Sequence, residues 1–284
     1  MCPSFFKILK NTYNAAAQLF VGGEVILSQG GITQSDMYAL GIIPLTRELC
    51  RSNVTQAWFA DDANGAGKLK RVRTWWDLLN ERGPEYGYFP KAAKTCLLVK
   101  DSVLDDAKKI FGGSGVQIRS DGCRLLGSAL GKDKFVLNFV RRKVESFVGL
   151  TQVLSDVAKS QPHAAFAALT HGLMGKWNFL SRTVERAGGL LQPLERMICQ
   201  RLIPSISGRE PPGEQERIML SLPVRLGGLG IKNPTVLACM EYERSYQTSQ
   251  PLIEMLKHQG QDDVLPVCLT VPGQRCGLWN QSLP

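Results

Sequence analysis

The sequence places two aspartates side by side, Asp61 and Asp62, between an aromatic pair and a glycine-rich stretch. Carboxylate oxygens are the ligands that Mg²⁺ prefers, and neighbouring carboxylates can share two divalent ions about 4 Å apart. Such a site lowers the pKa of an attacking hydroxyl and stabilises a leaving pyrophosphate, which is the chemistry of nucleotidyl transfer. Adjacent aspartates also occur in ordinary surface turns and at helix N-caps, so the pair alone leaves both interpretations open.

A tight turn is the element that must position this pair. Residues 54–59 have the composition of a strand, and turn residues follow at 64–67. Successive side chains of an extended strand point to opposite faces, so only a turn can aim both carboxylates into one cavity. We therefore predict the two aspartates at a strand end or in the tip of a hairpin.

The apolar spacing downstream predicts an amphipathic helix over 68–80, closed by Gly83 and Pro84. Trp75 and Trp76 lie on its apolar side, where core packing is favoured over base stacking.

Mixed elements come first in the chain and helices follow. A hairpin is predicted around Gly22-Gly23, and Pro44 is expected to limit a helix over 35–51. Strands are predicted over 95–100 and 123–130, with a short helix between them that stops at Gly112. Further helices are predicted over 134–159, from near Pro162, over 194–202 and over 237–246.

Positive charge is concentrated in one part of the chain. The formal net charge is +9, and residues 68–143 hold 17 Lys and Arg against 8 Asp and Glu, which accounts for 17 − 8 = +9. A concentrated basic excess favours a polyanion partner, because Lys and Arg release condensed counterions from phosphates. A solvated surface that keeps the protein soluble explains the same charge, and the sequence leaves both explanations open.

The eight cysteines are scattered singly with no C-x-x-C pair, so zinc-ligand spacing is absent and free thiols are favoured over disulfides. No stretch approaches the roughly 20 apolar residues that cross a bilayer. The apolar run at the start is too short for a signal peptide. These features predict an intracellular protein of the cytoplasm or nucleus, not secreted and with no membrane partner.

Several motifs occur in an order typical of one family. FADDA is followed by Trp-Trp-Asp, then by GPEYGYFPKAAKT and by RLLGSALG; LPVRLGGLGIKNP and PHAAFAALTHGLMGKWNFLSRT lie further on. Together they resemble the reverse-transcriptase domain of retrotransposon-type elements, over residues 11–259. The resemblance implies an RNA-directed DNA polymerase, a nucleotidyltransferase that uses Mg²⁺ or Mn²⁺. Its partners would be an RNA/DNA primer-template and deoxynucleoside triphosphates.

The resemblance also assigns roles around the aspartate pair. Asp61 would be a catalytic metal ligand, and Asp62 a weaker ligand or electrostatic neighbour. Phe59 and Ala60 would lie near the primer terminus. Lys94 would offset charge on the triphosphate; an ordinary solvated lysine is the alternative.

Template and primer contacts are implied elsewhere. Gly31, Thr33 and Gln34 match positions that line the nucleotide and template pocket. Arg124 and Gly127 match the primer-grip hairpin and would hold the primer backbone.

The implied fold is α+β. Residues 1–131 would form a partial polymerase palm, a small antiparallel sheet with packed helices. Residues 132–259 would form an α-helical thumb-like region, and 260–284 a loose tail.

The sequence departs from the family pattern in two places. Family members carry a third metal-binding aspartate upstream, but residues 1–30 contain none, which predicts an N-terminally truncated domain. About five residues are missing after Asp36, which puts nucleotide selection in doubt. We therefore expect weak or no polymerase activity from this chain alone. A non-catalytic nucleic-acid-binding remnant that uses 68–143, or an unstable fragment without function, are the alternatives.

Overall fold

The computed structural model describes residues 17–21, 24–28 and 36–257, with side chains from 41 to 254. Gly31, Thr33, Gln34 and the predicted tail over 260–284 lie outside the described residues. The described residues divide into two compact units. The first takes those up to Pro90 together with those after Ile253, and the second is Lys91–Ile253. The predicted division after residue 131 stays a prediction.

The first unit begins with the predicted hairpin, formed by antiparallel strands β1 (Ala17–Val21) and β2 (Glu24–Ser28). Helix α1 (Asp36–Leu49) and a 3₁₀ turn (Cys50–Ser52) lead to strands β3 (Thr55–Phe59) and β4 (Asp62–Ala66). Helix α2 (Leu69–Arg82) follows and ends in a 3₁₀ turn (Gly83–Tyr86), as the sequence predicted within two residues.

Pro44 lies inside α1, so the prediction that it limits the helix was wrong. Ile42, Leu45 and Leu49 on that helix are 4%, 0% and 0% exposed. Proline has no N–H to donate within the helix, which destabilises it locally. Burial of these three apolar side chains stabilises the helix by more than that cost.

A polar cluster ties α1 to α2 and its 3₁₀ turn. The Arg82 guanidinium donates to Glu48 at 3.0 Å, and the Tyr86 hydroxyl donates to the same carboxylate at 2.9 Å. These hydrogen bonds, that of Arg82 first, lower the pKa of Glu48. The cluster fixes the orientation of the helix that supports the β3–β4 hairpin.

The second unit starts with a 3₁₀ turn (Ala92–Lys94), strand β5 (Cys96–Leu98), a 3₁₀ turn (Asp101–Val103) and helix α3 (Leu104–Phe111). Strand β6 (Gln117–Arg119) pairs parallel with β5, which corrects the expectation of a purely antiparallel sheet. Among the described residues the strands form four separate two-stranded sheets.

Strands β7 (Gly122–Leu125) and β8 (Ser128–Gly131) replace the single strand predicted over 123–130. The chain reverses at Leu126 and Gly127, whose φ angles are 46° and 87°. Two consecutive positive φ angles are the signature of a type I′ hairpin turn. The structure therefore agrees with a hairpin, the form that the family resemblance implied for this segment.

Helices make up the rest. They are α4 (Asp133–Ala158), α5 (Pro162–Ala168), a π-helical turn (Leu169–Leu173), α6 (Met174–Thr183), a 3₁₀ turn (Gly188–Leu191), α7 (Gln192–Met197), a second π-helical turn (Ile198–Leu202), α8 (Ile203–Ser207), α9 (Glu214–Ser221), a 3₁₀ turn (Val224–Leu226) and α10 (Pro234–Lys257). The helices predicted here are confirmed, although α10 is longer than the sequence indicated.

One hydrophobic core holds the second unit together. It joins Val140, Val144 and Phe147 of α4 to Trp177 of α6 and to apolar residues of α7 and the π-helical turn after it. A buried ion pair links α9 to α7: Arg217 donates to both carboxylate oxygens of Glu195, at 2.7 and 2.9 Å. The fold is therefore mixed α+β, with helices that pack around a core of their own in the second unit. Within 36–257, no helix combines the length and apolarity needed to cross a membrane.

Candidate active-site hairpin

The predicted aspartates lie at the tip of the β3–β4 hairpin. Strand β3 pairs antiparallel with β4, and Phe59 stands opposite Asp62. Only Ala60 and Asp61 lie between them, so the connection is a two-residue loop. Ala60 has a φ of 51°, the left-handed conformation that costs a non-glycine residue about 1 kcal/mol. The sequence prediction of a hairpin tip is confirmed.

The hairpin has one open face and one packed face. On β3, Thr55, Ala57 and Phe59 are exposed, whereas Gln56 is buried and Trp58 half-buried. Paired residues share a face in an antiparallel ladder, so Asp62 lies on the open face beside Phe59. Phe59 is 67% exposed, so its ring is open to solvent beside the aspartate pair.

A buried amide anchors the packed face. Gln56 Oε1 accepts hydrogen bonds from the indole N–H groups of Trp58, at 3.1 Å, and Trp75, at 3.3 Å. Its Nε2 donates to the Thr46 carbonyl at 2.7 Å and to Cys50 Sγ at 3.1 Å. One side chain thus joins β3 to both flanking helices. Nothing in the local sequence pattern signals this network, and sequence reasoning missed it.

Gly65 explains how closely β4 approaches α2. A Cβ at Gly65 would lie 3.2 Å from Val54 Cγ1 and 3.3 Å from Trp75 Cε3. Asn64 and Gly65 are therefore strand residues and not the turn just beyond the strand that the sequence predicted. Glycine suits this position because an added side chain would require Val54 and Trp75 to move by a few tenths of an ångström. Trp75 and Trp76 are 5% and 7% exposed, which confirms their predicted place in the core.

The donor set at the tip suits a hard divalent cation. Asp61 and Asp62 are both exposed, adjacent and carboxylate in type, which are the properties that Mg²⁺ or Mn²⁺ requires of ligands. The part of the chain with described side chains contains no cluster of three or more His, Cys, Asp or Glu placed to hold a metal. The hairpin thus supplies two ligands, and the remaining ligands of a six-coordinate ion would come from water, phosphate oxygens or a further carboxylate.

Of the remaining predicted site residues, the three that the structure describes lie in the second unit. Lys94 is exposed and ends the 3₁₀ turn Ala92–Lys94. Arg124 is exposed on β7, and Gly127 lies in the β7–β8 turn close to it. The structure thus brings Phe59, Ala60, Asp61 and Asp62 together in one group and Arg124 and Gly127 in another; the roles of all these residues stay predictions.

Comparisons with protein-family models, with curated proteins and with solved structures found no match to this chain. The resemblance to reverse transcriptases is therefore carried by the order of the sequence motifs.

Proposed function

We propose that this chain contributes the metal-binding hairpin of a reverse transcriptase, an RNA-directed DNA polymerase acting on a primed template. The observation that supports this best is the tip itself, where two adjacent carboxylates stand exposed beside an open aromatic side chain. Such a tip is accessible to the end of a nucleic-acid strand. The buried Gln56 amide, bonded to the indoles of Trp58 and Trp75, holds the strand beneath it in place.

In this proposal Asp61 and Asp62 hold the divalent cations, and Phe59 packs against the terminal primer nucleotide. The cations, when bound, lower the pKa of the primer 3′-hydroxyl and stabilise charge on the leaving pyrophosphate. The two-residue loop keeps both carboxylates within one short segment. The strained Ala60 makes that loop tight.

Activity of the 284-residue polypeptide is expected to be weak. Its hairpin carries two carboxylates where the resembled site uses three, and loss of one member of such a unit commonly costs several orders of magnitude in rate. Primer extension in Mn²⁺ is the first test, because Mn²⁺ accepts the same oxygen ligands as Mg²⁺.

The experiment compares the full chain with Asp61→Asn and Asp62→Asn, using a labelled DNA primer on an RNA template. Asp77→Asn is the matched control, because Asp77 is an exposed aspartate of the same unit, paired with Arg73 at 2.9 Å. We expect slow extension that both hairpin variants abolish and the control retains. Extension that survives both hairpin substitutions would contradict the proposal.

A second candidate is nucleic-acid binding without catalysis. The observation that favours it is the basic start of α2: Lys68, Lys70 and Arg71 are exposed, and no ion pair to them is found in the described part of the chain. This candidate predicts primer-template affinity that falls steeply with salt and no extension in any variant. Extension lost in Asp61→Asn would exclude it as the whole function.

A further inference from the structure

Two cysteine thiols lie next to each other in the second unit. Cys96 is on β5 and Cys123 on β7, and Cα atoms of these two strands approach within 8 Å. The two thiols are close enough to hydrogen-bond to each other. Both are free and half-buried, so a small molecule can reach them. Residues 97–122 separate the two cysteines, and the sequence alone therefore gave no sign of the pair.

Polar contacts restrain both strands around the pair. Asp101, just after β5, accepts hydrogen bonds from Lys132, at 2.6 Å, and from Ser120, which precedes β7. These bonds, that of Lys132 first, lower the pKa of Asp101. Arg119 at the end of β6 donates to the Gly122 carbonyl at 3.4 Å and closes the turn into β7. The ends of β5 and β7 are thus held together by contacts that do not involve the sulfurs.

Within the described strands, no backbone ladder connects β5 to β7. Strand β5 pairs with β6, and β7 pairs with β8, in separate two-stranded sheets. A disulfide joins Cα atoms about 4.4–6.8 Å apart, a separation that two strands in contact provide. Lys94 and Arg124, two of the predicted site residues, lie two and one positions from the cysteines. A bond between the sulfurs would therefore link the segments that carry them.

The surroundings of Cys96 keep its thiol protonated at neutral pH. Burial, followed by the charge and hydrogen bonding of the nearby Cys123 thiol, raises the pKa of Cys96 to about 11. Arg119 offsets part of this rise, and Asp121 adds to it. Because the thiolate is the attacking form in thiol–disulfide exchange, the first attack is left to Cys123. Once Cys123 is bonded to another sulfur, its charge no longer opposes ionisation of Cys96.

A thiophilic metal ion is the other ligand that a thiol pair could take. Structural zinc requires four ligands. Where side chains are described, over residues 41–254, no third His, Cys, Asp or Glu completes a metal cluster around this pair. Oxidation needs only the two sulfurs, so the arrangement favours oxidation over metal binding.

We propose that Cys96 and Cys123 are a site of reversible oxidation, at which a low-molecular-weight disulfide converts the two thiols into a disulfide bond. The Cys123 thiolate attacks one sulfur of the reagent, breaks its S–S bond and releases one thiolate. The Cys96 thiolate then attacks the Cys123 sulfur of this mixed disulfide and releases the second. Two electrons pass from the cysteines to the reagent, and their two protons end on the released thiolates. This chemistry uses no hairpin carboxylate, so it goes beyond the polymerase proposal and does not depend on it.

Peptide mapping of the full chain by mass spectrometry identifies this bond directly. The reduced protein is incubated with oxidised glutathione, its remaining thiols are blocked with N-ethylmaleimide, and the chain is cut with trypsin. Trypsin cleaves after lysine and arginine, so the disulfide appears as residues 95–100 joined to residues 120–124. We expect this linked pair to be the main disulfide within the chain, and excess dithiothreitol should remove it.

Serine variants separate the roles of the two cysteines. Cys96→Ser should leave Cys123 as a mixed disulfide with glutathione, whereas Cys123→Ser should leave Cys96 largely unmodified. Cys239→Ser is the control, because Cys239 is an exposed thiol on α10, and it should form the bond as the wild type does. Oxidation should raise the Tm of the wild type and of the control by about 5–10 °C, because closing the loop 96–123 restricts the unfolded chain. Neither variant of the pair should show this rise.

Three results would overturn the proposal. The first is absence of the linked peptides from the folded wild-type chain after full oxidation. The second is linkage of Cys96 or Cys123 to Cys239 as often as to each other, which would indicate random exchange. The third is a Tm that falls on oxidation of the wild type but not of Cys123→Ser, which would show that the bond strains the fold. The wild-type peptide map needs no variant to fold and no primer extension, so failure of this proposal is distinguishable from failure of the polymerase proposal.

Discussion

Gln56 is expected to control the stability of the hairpin that carries the aspartates. Gln56 is 4% exposed, and its side-chain hydrogen bonds to the Thr46 carbonyl and the Trp75 indole join β3 to both neighbouring helices. Gln56→Leu keeps much of the side-chain volume but removes every one of these bonds. The substitution therefore tests the network and not the space it fills.

The loss in free energy of unfolding caused by Gln56→Leu can be worked out from the polar groups that lose their hydrogen-bond partner. The indole N–H of Trp75 is buried and would lose its acceptor, which costs about 1–3 kcal/mol. The partly buried carbonyl of Thr46 loses a donor, for about 1 kcal/mol more. Trp58 is half-buried, so water can replace its lost acceptor. The added apolar surface of leucine returns about 1 kcal/mol, and the net loss in free energy of unfolding is about 1–3 kcal/mol.

Urea unfolding followed by tryptophan fluorescence measures this loss directly, because two of the affected groups are indoles. Thr55→Leu is the control, since Thr55 is exposed on the open face of the same strand. Gln56→Glu adds a second arm. A protonated carboxyl can still donate to Thr46, whereas a carboxylate cannot, so burial should raise the pKa of the introduced group above its unfolded value. That variant should be most stable below about pH 4 and lose stability as pH rises through the raised pKa.

A change of less than about 0.5 kcal/mol in Gln56→Leu would refute this reasoning, because ordinary surface substitutions fall in that range. Equal losses in Gln56→Leu and Thr55→Leu would refute it as well.

Two further predictions concern the second unit. Arg217→Ala should lower the free energy of unfolding by about 3–5 kcal/mol, because it leaves Glu195, 8% exposed, as an uncompensated buried charge; urea unfolding would show less than about 1 kcal/mol if the ion pair were dispensable. Burial, followed by the hydrogen bond to Glu195, raises the pKa of the Cys199 thiol to about 11, so Cys199 should react with iodoacetamide far more slowly than the exposed Cys239 below that pH. Since the folded pKa is raised, the stability that the protonated thiol contributes should be lost as pH rises from about 9 to about 11, and equal alkylation rates at pH 8 would contradict this assignment.

Local sequence signals predicted the elements around the hairpin well. Strand-forming residues followed by adjacent aspartates predicted the hairpin tip. The apolar spacing that includes Trp75 and Trp76 predicted the buried face of α2. Both signals are short-range, so neither depends on the rest of the fold.

The sequence predictions that the structure corrected all involve contacts between different elements of the fold. Asn64-Gly65 has typical turn chemistry, but the close approach of Trp75 selects glycine within a strand. Pro44 is kept in a helix by the burial of the stripe around it. The parallel pairing of β5 with β6 joins residues about 20 positions apart, which composition alone does not encode.

The candidate sites show the same division. The aspartate pair could be found because both ligands are neighbours in sequence. The Gln56 network beneath the pair could not, since Thr46, Gln56 and Trp75 come together only after α1, β3 and α2 have packed.

Divalent-cation binding at the hairpin tip tests the central claim most directly. Isothermal titration of Mn²⁺ into the full chain, saturated with primer-template, measures the affinity, and Asp77→Asn controls for a general loss of negative charge. Asp61→Asn and Asp62→Asn should each weaken Mn²⁺ binding by about tenfold or more, at least the scale of disturbing a ligand's supporting shell, while Asp77→Asn binds as the wild type does. Equal Mn²⁺ affinity in the wild type and both hairpin variants would contradict a metal site at Asp61 and Asp62.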